Sequence, residues 1–185
     1  YNSIGGMSAV NGTVRGKWIS TSDNGEMAQN PSEGHGIIAG RVIAREVSNG
    51  SNNGDGIRAH VVNVSDGFAI VGNKGYGIIG SIINARGIII RANKKGGIRH
   101  VRSINRFNNL AKLNSLTEND HSINIENSTI ADNTGNGIEL ENFESALIQN
   151  NNLLRNTGFD LFSSEKSVVA NNNWWGENSQ PGSIN

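Results

Sequence analysis

Glu139, Glu141 and Asp160 are the residues of this sequence whose type and spacing suit acid–base chemistry. Glu139 and Glu141 are two apart, so they share one face of an extended segment. Asp160 follows Glu139 by 21 residues, close to one period of the repeat described below. On neighbouring strands, two such carboxyl groups would stand about 5–8 Å apart, a separation suited to an acid paired with a nucleophile or base. The same oxygens could instead hold Ca²⁺ between Glu139 and Asp160. The plain alternative is a solvated strand face whose charges keep the molecule in solution.

A cationic set lies upstream. Arg58 and Arg99 fall on the same phase as Glu139, and His60 lies two residues beyond Arg58. These three could bind substrate. Arg45, Arg86 and Arg106 share a second phase near a chain corner, a basic stripe that could attract uronate or sulfate groups of an acidic polysaccharide. The histidines, at 35, 60, 100 and 121, form no ligand-spaced pair, and there is no cysteine. Disulfides and thiolate metal sites are therefore excluded, and no cofactor other than Ca²⁺ is expected.

What must position these groups is a repeat. Gly-Ile steps occur at Gly36-Ile37, Gly56-Ile57, Gly77-Ile78, Gly97-Ile98 and Gly137-Ile138, spaced by 20, 21, 20 and 40 residues. Gly158-Phe159 extends the series by 21. A second column runs through Asn53, Asn73, Asn93, Asn114, Asn136 and Asn156. A third comprises Ile125-x-Asn127-x-x-Ile130, Ile148-x-Asn150-x-x-Leu153 and Val169-x-Asn171-x-x-Trp174. Between these marks lie short apolar alternations of period two, such as Ile138-Glu139-Leu140, which read as strands. The chain has 185 residues, with 24 Gly, 30 Asn and 22 Ile, a composition for many short strands joined at Asn/Gly corners.

Three short strands and three corners fill 20–21 residues, and like residues then stack on like. The expected fold is all-β: a single-domain parallel β-helix of about seven to eight coils, with Asn and Ile ladders. Ile57, Ile98, Ile138 and Phe159 should point inward. The outward stack should then be Ile38, Arg58, Ile79, Arg99, Glu139 and Asp160, followed two residues on by His60, Ser81 and Glu141. Gly should serve corners of positive φ. Residues 1–16 are expected as a lead-in or cap, 17–176 as the β-helix with an irregular coil or loop at 106–121, and 177–185 as a tail. Trp174 and Trp175 should shield the last open edge.

Asn53-Gly54-Asp55-Gly56-Ile57, Asn73 to Ile78, the I-x-N-x-x-I columns and Asn171 to Gly176 carry a resemblance. The chain resembles the right-handed parallel β-helix superfamily with the pectin-lyase-like fold, and its ending resembles repeat domains of extracellular or surface proteins. The right hand comes from this resemblance. It implies a secreted or surface location, and a polysaccharide partner along one strand face. Gly34-His35-Gly36 is similar to an element of pectin-hydrolysing members, but no Asp-Asp pair accompanies it and Gly56-Ile57-Arg58-Ala59 lacks the lysine of their R-I-K.

Two function classes follow. One is a non-catalytic extracellular module that adheres to a surface or binds polysaccharide. The other is a polysaccharide lyase or glycoside hydrolase using Glu139, Glu141 and Asp160, with Arg58, His60 and Arg99 binding substrate. A third reading comes from charge. Residues 1–110 carry 13 Lys and Arg against 6 Asp and Glu, and residues 111–185 carry 3 against 10. Such polarity could join copies end to end. Nucleic acid is not an expected partner, because aromatics are few and net charge is zero. No apolar run is long enough to span a membrane as a helix. The chain starts at Tyr1 without a signal-peptide pattern, as a processed chain or an excised piece would.

Overall fold

The computed structural model describes residues 5–22, 34–67, 69–102, 122–164 and 167–176. Every described element is a strand, and all strand pairs are parallel. The expected irregular coil at 106–121, with Asn114 and Arg106, and the tail at 177–185 lie outside the described residues.

The chain makes seven described passes; all seven add to a larger sheet, and the first six also add a strand to a smaller one. In the first four, the larger sheet receives one long strand: β1 (Gly5–Gly16), β3 (His35–Arg45), β5 (Ile57–Ser65) and β7 (Tyr76–Arg86). In the next three it receives two shorter ones: β9 (Gly96–His100) with β10 (Ser122–Glu126), β12 (Asn136–Leu140) with β13 (Ser145–Gln149), and β15 (Leu161–Ser163) with β16 (Val168–Asn171). The smaller sheet stacks β2 (Ile19–Ser22), β4 (Val47–Gly50), β6 (Ala69–Val71), β8 (Ile89–Arg91), β11 (Thr129–Ala131) and β14 (Asn152–Leu154). This topology is compatible with a parallel β-solenoid. Residues 5–16, expected as a lead-in, are β1 itself, paired to β3 from Gly5↔His35 to Gly16↔Ala44.

Three apolar columns build the core. Ile37, Ile57, Ile78, Ile98, Ile138 and Leu161 stand in register. Val42, Val62, Ile83, Ile123, Ala146 and Val168 form the second. Ile70, Ile90, Ile130 and Leu153 form the third, from the smaller sheet. The Ile members of the first and third columns are fully buried, each worth about 2–3 kcal/mol of transfer free energy.

The asparagine column is a buried amide ladder. Asn52 Nδ2 donates to Asn73 Oδ1 (2.8 Å), and Asn73 Nδ2 to Asn93 Oδ1 (2.9 Å). Asn93 continues to Asn133 (3.0 Å), and Asn133 to Asn156 (2.9 Å). Each Oδ1 also accepts the backbone N–H of the preceding rung. The remaining amide proton of Asn93, Asn133 and Asn156 goes to a carbonyl, of Ile70, Ile90 and Ile130 respectively. The rungs are thus Asn52 and Asn133 rather than Asn53 and Asn136. Asn52 and Asn53 are neighbours of one type, so spacing could not separate them. Asn133 lies 40 residues from Asn93, two regular periods, and Asn114 belongs to the undescribed stretch.

The Gly-Ile glycines are not positive-φ corners, contrary to expectation. They are small because the ladder lies against them. A Cβ on Gly56 would stand 2.6 Å from Asn49 Oδ1 and from Gly77 O, and one on Gly97 2.4 Å from Gly137 O. Most positive-φ residues fall in two other columns at the ends of the smaller sheet's strands. Glu46, Asp66, Gly87, Asn127, Asn150 and Asn172 form one; Ser51, Gly72, Ala92, Asp132 and Arg155 form the other. The first column takes Asn172 where Asn171 was expected, because Asn171 pairs with Gln149 inside the strand.

Candidate functional site

The outward stack expected on the first half of the larger sheet has the order Ile38, Arg58, Ile79, Arg99, Glu139. Its last member is a correction. Phe162, not Asp160, stands beside Glu139, and Leu161, not Phe159, beside Ile138. The step from Ile138 to Leu161 is 23 residues, as is that from Asn133 to Asn156, so the last pass is longer than the period used to place Asp160. Phe159 is 47% exposed and stacks on Phe162 at 6.0 Å instead of filling the core.

Asp160 occupies the glycine column, where its backbone carbonyl accepts Ile138 N–H. Its side chain is buried, and Oδ1 accepts Asn156 Nδ2 at 2.7 Å. A carboxylate thereby ends the amide ladder, supplying an acceptor where the next Asn would stand. The expected Glu139–Asp160 pair, for acid–base work or for Ca²⁺, is not formed. Among the described residues no three His, Asp or Glu side chains come together to hold a metal ion.

Glu139 is engaged elsewhere. Its Oε1 lies 3.3 Å from Arg99 Nε, and its Oε2 accepts the Tyr76 hydroxyl at 3.2 Å. The Arg99 Nε–H is not aligned for a hydrogen bond, so that contact is ionic. Arg99 also lies over the Tyr76 ring, 5.5 Å from its centroid. Burial holds the Tyr76 hydroxyl above its ordinary pKa, the Glu139 charge adds to this, and Arg99 opposes it. Glu141 contributes its backbone carbonyl, 2.7 Å from His100 Nδ1, while His100 Nε2 lies 3.1 Å from Ser81 O.

Arg58 binds Asp55, with Nε donating to Oδ2 at 2.9 Å. The buried Asp55 also accepts Tyr76 N–H at 2.8 Å. His35 Nδ1 accepts the backbone N–H of Asp55 (2.7 Å), so its 3.3 Å approach to Asp55 Oδ2 is not a donated bond from a neutral ring. A Cβ on Gly54 would fall 2.5 Å from that nitrogen. The Gly-His-Gly element is therefore a packed corner. His60 is half-buried on β5. Ile38 and Ile79 are only 2% and 6% exposed although they face outward, and Tyr76 and Val101 pack on them. This half of the sheet is a closed face whose Asp55 and Glu139 carboxylates are held internally, though the buried Ser81 Oγ and Arg99 Nε make no hydrogen bond among the described residues.

The second half is open. A groove of about 480 Å³ crosses the ends of β1, β3, β5, β7 and β10. Its floor is the register column Arg15, Ile43, Asn63, Asn84, Asn124. The next outward column places Arg45, Ser65, Arg86 and Glu126 along one side. Asn84 Nδ2 donates to Asn63 Oδ1 at 2.7 Å, and Asn124 Nδ2 to Glu126 Oε1 at 2.7 Å. Asn124 Oδ1 is covered yet accepts no hydrogen bond. Arg45 pairs with Asp66 at 3.1 Å. Arg15, Lys17 and Arg86 have no ion-pair partner among the described residues. Trp18, directly after Lys17, is 65% exposed.

None of Glu139, Glu141, Asp160, Arg58, His60 and Arg99 lines this groove, whereas Arg45 and Arg86 do. The shared phases of Asn63 with Asn84 and of Arg45 with Arg86 were its sequence signal. Which half of the sheet is covered depends on packing that periodicity does not encode. Among the described residues no helix is long and apolar enough to cross a membrane. No family model, curated protein or solved structure matches the chain significantly.

Proposed function

We propose that this chain is a right-handed parallel β-helix of the pectin-lyase-like type, acting as an extracellular, non-catalytic module that binds an acidic polysaccharide. The observation that carries the reading is the groove, where a row of side-chain amides runs beside Arg15, Lys17 and Arg86, which have no ion-pair partner among the described residues. Amides suit sugar hydroxyls, and guanidinium groups suit uronate carboxylates. The rungs follow one another at the strand spacing of about 4.8 Å, so a linear polymer lying across the strands meets side-chain amides at Asn63, Asn84 and Asn124 in turn. A surface or secreted location follows from such a partner.

Binding is favoured over cleavage by how the carboxylates are used. Glu139 is held by Arg99 and Tyr76, and Asp160 ends the ladder. The test is isothermal titration with polygalacturonate against neutral dextran, using the unaltered chain and Asn84→Ala/Arg86→Gln. Binding of the acidic polymer that falls at least about tenfold, 1.4 kcal/mol, in the double variant supports the reading. Unchanged binding in that variant overturns the groove, and release of reducing ends from the polymer overturns the non-catalytic role.

A further inference from the structure

A second cationic surface lies at the other end of β8 from Arg86. The residues that follow the ladder asparagines stack as the ladder does: Lys74 follows Asn73, and Lys94 follows Asn93. Lys74 N–H bonds to Asn52 O, and Lys94 N–H to Asn73 O. The two lysines therefore start from neighbouring strands, about 4.8 Å apart. Lys95 stacks over Gly75, its N–H bonded to Gly75 O at 3.1 Å. All three lysines are exposed, and Arg91 is exposed on the strand that leads into the same corner.

None of the three lysines has an ion-pair partner among the described residues. Two acids border this corner: buried Asp55, which lies against Gly75 and is held by Arg58 and the Tyr76 N–H, and Asp132, on the pass after Ala92. Asp132 is already held by Arg155 through two bonds of 2.7 and 3.0 Å, and Arg91 adds its charge to the same carboxylate. Like charges stacked on adjacent strands oppose folding. The buried Asn ladder imposes that stacking, so the lysines cannot separate at the backbone. An external anion would relieve the repulsion.

We propose that Lys74, Lys94 and Lys95 form a docking strip for a linear polysaccharide bearing carboxylate or sulfate groups, separate from the groove and independent of whether the groove binds. The strip is one corner wide, which suits a chain better than a flat surface. The described aromatic residue between Val71 and Gly97 is Tyr76, whose ring packs on Ile38 and Ile79 and lies under Arg99, so it offers no free face for base stacking.

The test measures anisotropy of fluorescein-labelled dextran sulfate and polygalacturonate at low and high salt, with neutral dextran as control. The unaltered chain should bind both anionic polymers, more weakly as salt rises. Lys74→Gln/Lys94→Gln/Lys95→Gln should lose about tenfold or more in affinity and show a flatter salt dependence. Its melting temperature should be equal or higher, because a like-charge cluster has been removed. Asn84→Ala/Arg86→Gln should keep the salt-dependent component that the triple variant loses, which distinguishes failure of the groove from failure of the strip. Unchanged affinity and salt dependence in the triple variant would overturn the proposal. So would single-stranded DNA competing as well as dextran sulfate. Salt-sensitive self-association that disappears in the triple variant would assign the strip to a second copy instead.

Discussion

Two asparagine columns run through this molecule with the same period and different surroundings. Asn52, Asn73, Asn93, Asn133 and Asn156 lie at a corner, mostly fully buried, with donors and acceptors matched rung to rung. Asn63, Asn84 and Asn124 lie on the outer face of the larger sheet, partly or fully exposed, and Asn124 keeps an oxygen with no donor. The first column is structural, because a buried amide without its partner costs more than the hydrogen bond it makes. The second is open at Asn63 and Asn84, where water or a ligand can take the place of a lost partner, while the Asn124 oxygen is covered. Residue type and period are shared; burial separates the roles.

The sharpest way to break this contrast is to cut each column at one rung. Asn93→Ala would strand the Asn73 amide and backbone N–H and deprive Asn133 of a donor. Stability should fall by about 3 kcal/mol or more in urea unfolding. Asn84→Ala should cost under about 0.5 kcal/mol while weakening polysaccharide binding. Equal losses from the two changes would mean the columns are not distinct.

Gly97→Ala tests the backing of the buried column. Its Cβ would meet Gly137 O at 2.4 Å and Ile130 Cγ2 at 2.6 Å, and overpacking of this kind costs about 1–3 kcal/mol. Normal stability in this variant would show that the glycine column does not need its small size.

Asp160 separates two ways of ending the ladder. Asp160→Asn retains an acceptor for Asn156 and should leave the midpoint of unfolding nearly unchanged. Asp160→Ala removes it and should cost about 1 kcal/mol. Equal losses from both would mean that the charge, not the acceptor, matters.

The smallest expected effect concerns the closed face. The folded state holds the Tyr76 hydroxyl above its ordinary value, chiefly by burial. The unfolded chain therefore loses that proton first, and stability should fall as pH rises through about 10. Tyr76→Phe should flatten this alkaline decline in a series of melting curves. An unchanged decline would place its source elsewhere.

Much of the architecture was legible from periodicity. The Gly-Ile steps marked the inner column through Ile138, and the outward order from Ile38 to Glu139 was read correctly. Periodicity misplaces residues where passes change length. A step of 23 residues moved Phe159 out of the core and Asp160 away from Glu139. Both residues followed a glycine or an apolar mark that fitted a 21-residue step, and only the continued pairing of Ile138 with Leu161 chooses between the two phases.

Local chemistry settled the parallel stacking, because Ile, Gly and Asn recurring at one period satisfy core, close approach and amide ladder together. Long-range packing settled the rest. Ile38 and Ile79 are buried on a face that alternation marks as outward, while Asn84 and Arg86 on the same strands stay open. Alternation specifies which side of a sheet a residue faces, but it carries no information about what else in the chain covers that side. That cover makes one half of the sheet a sealed polar cluster and leaves the other half a groove.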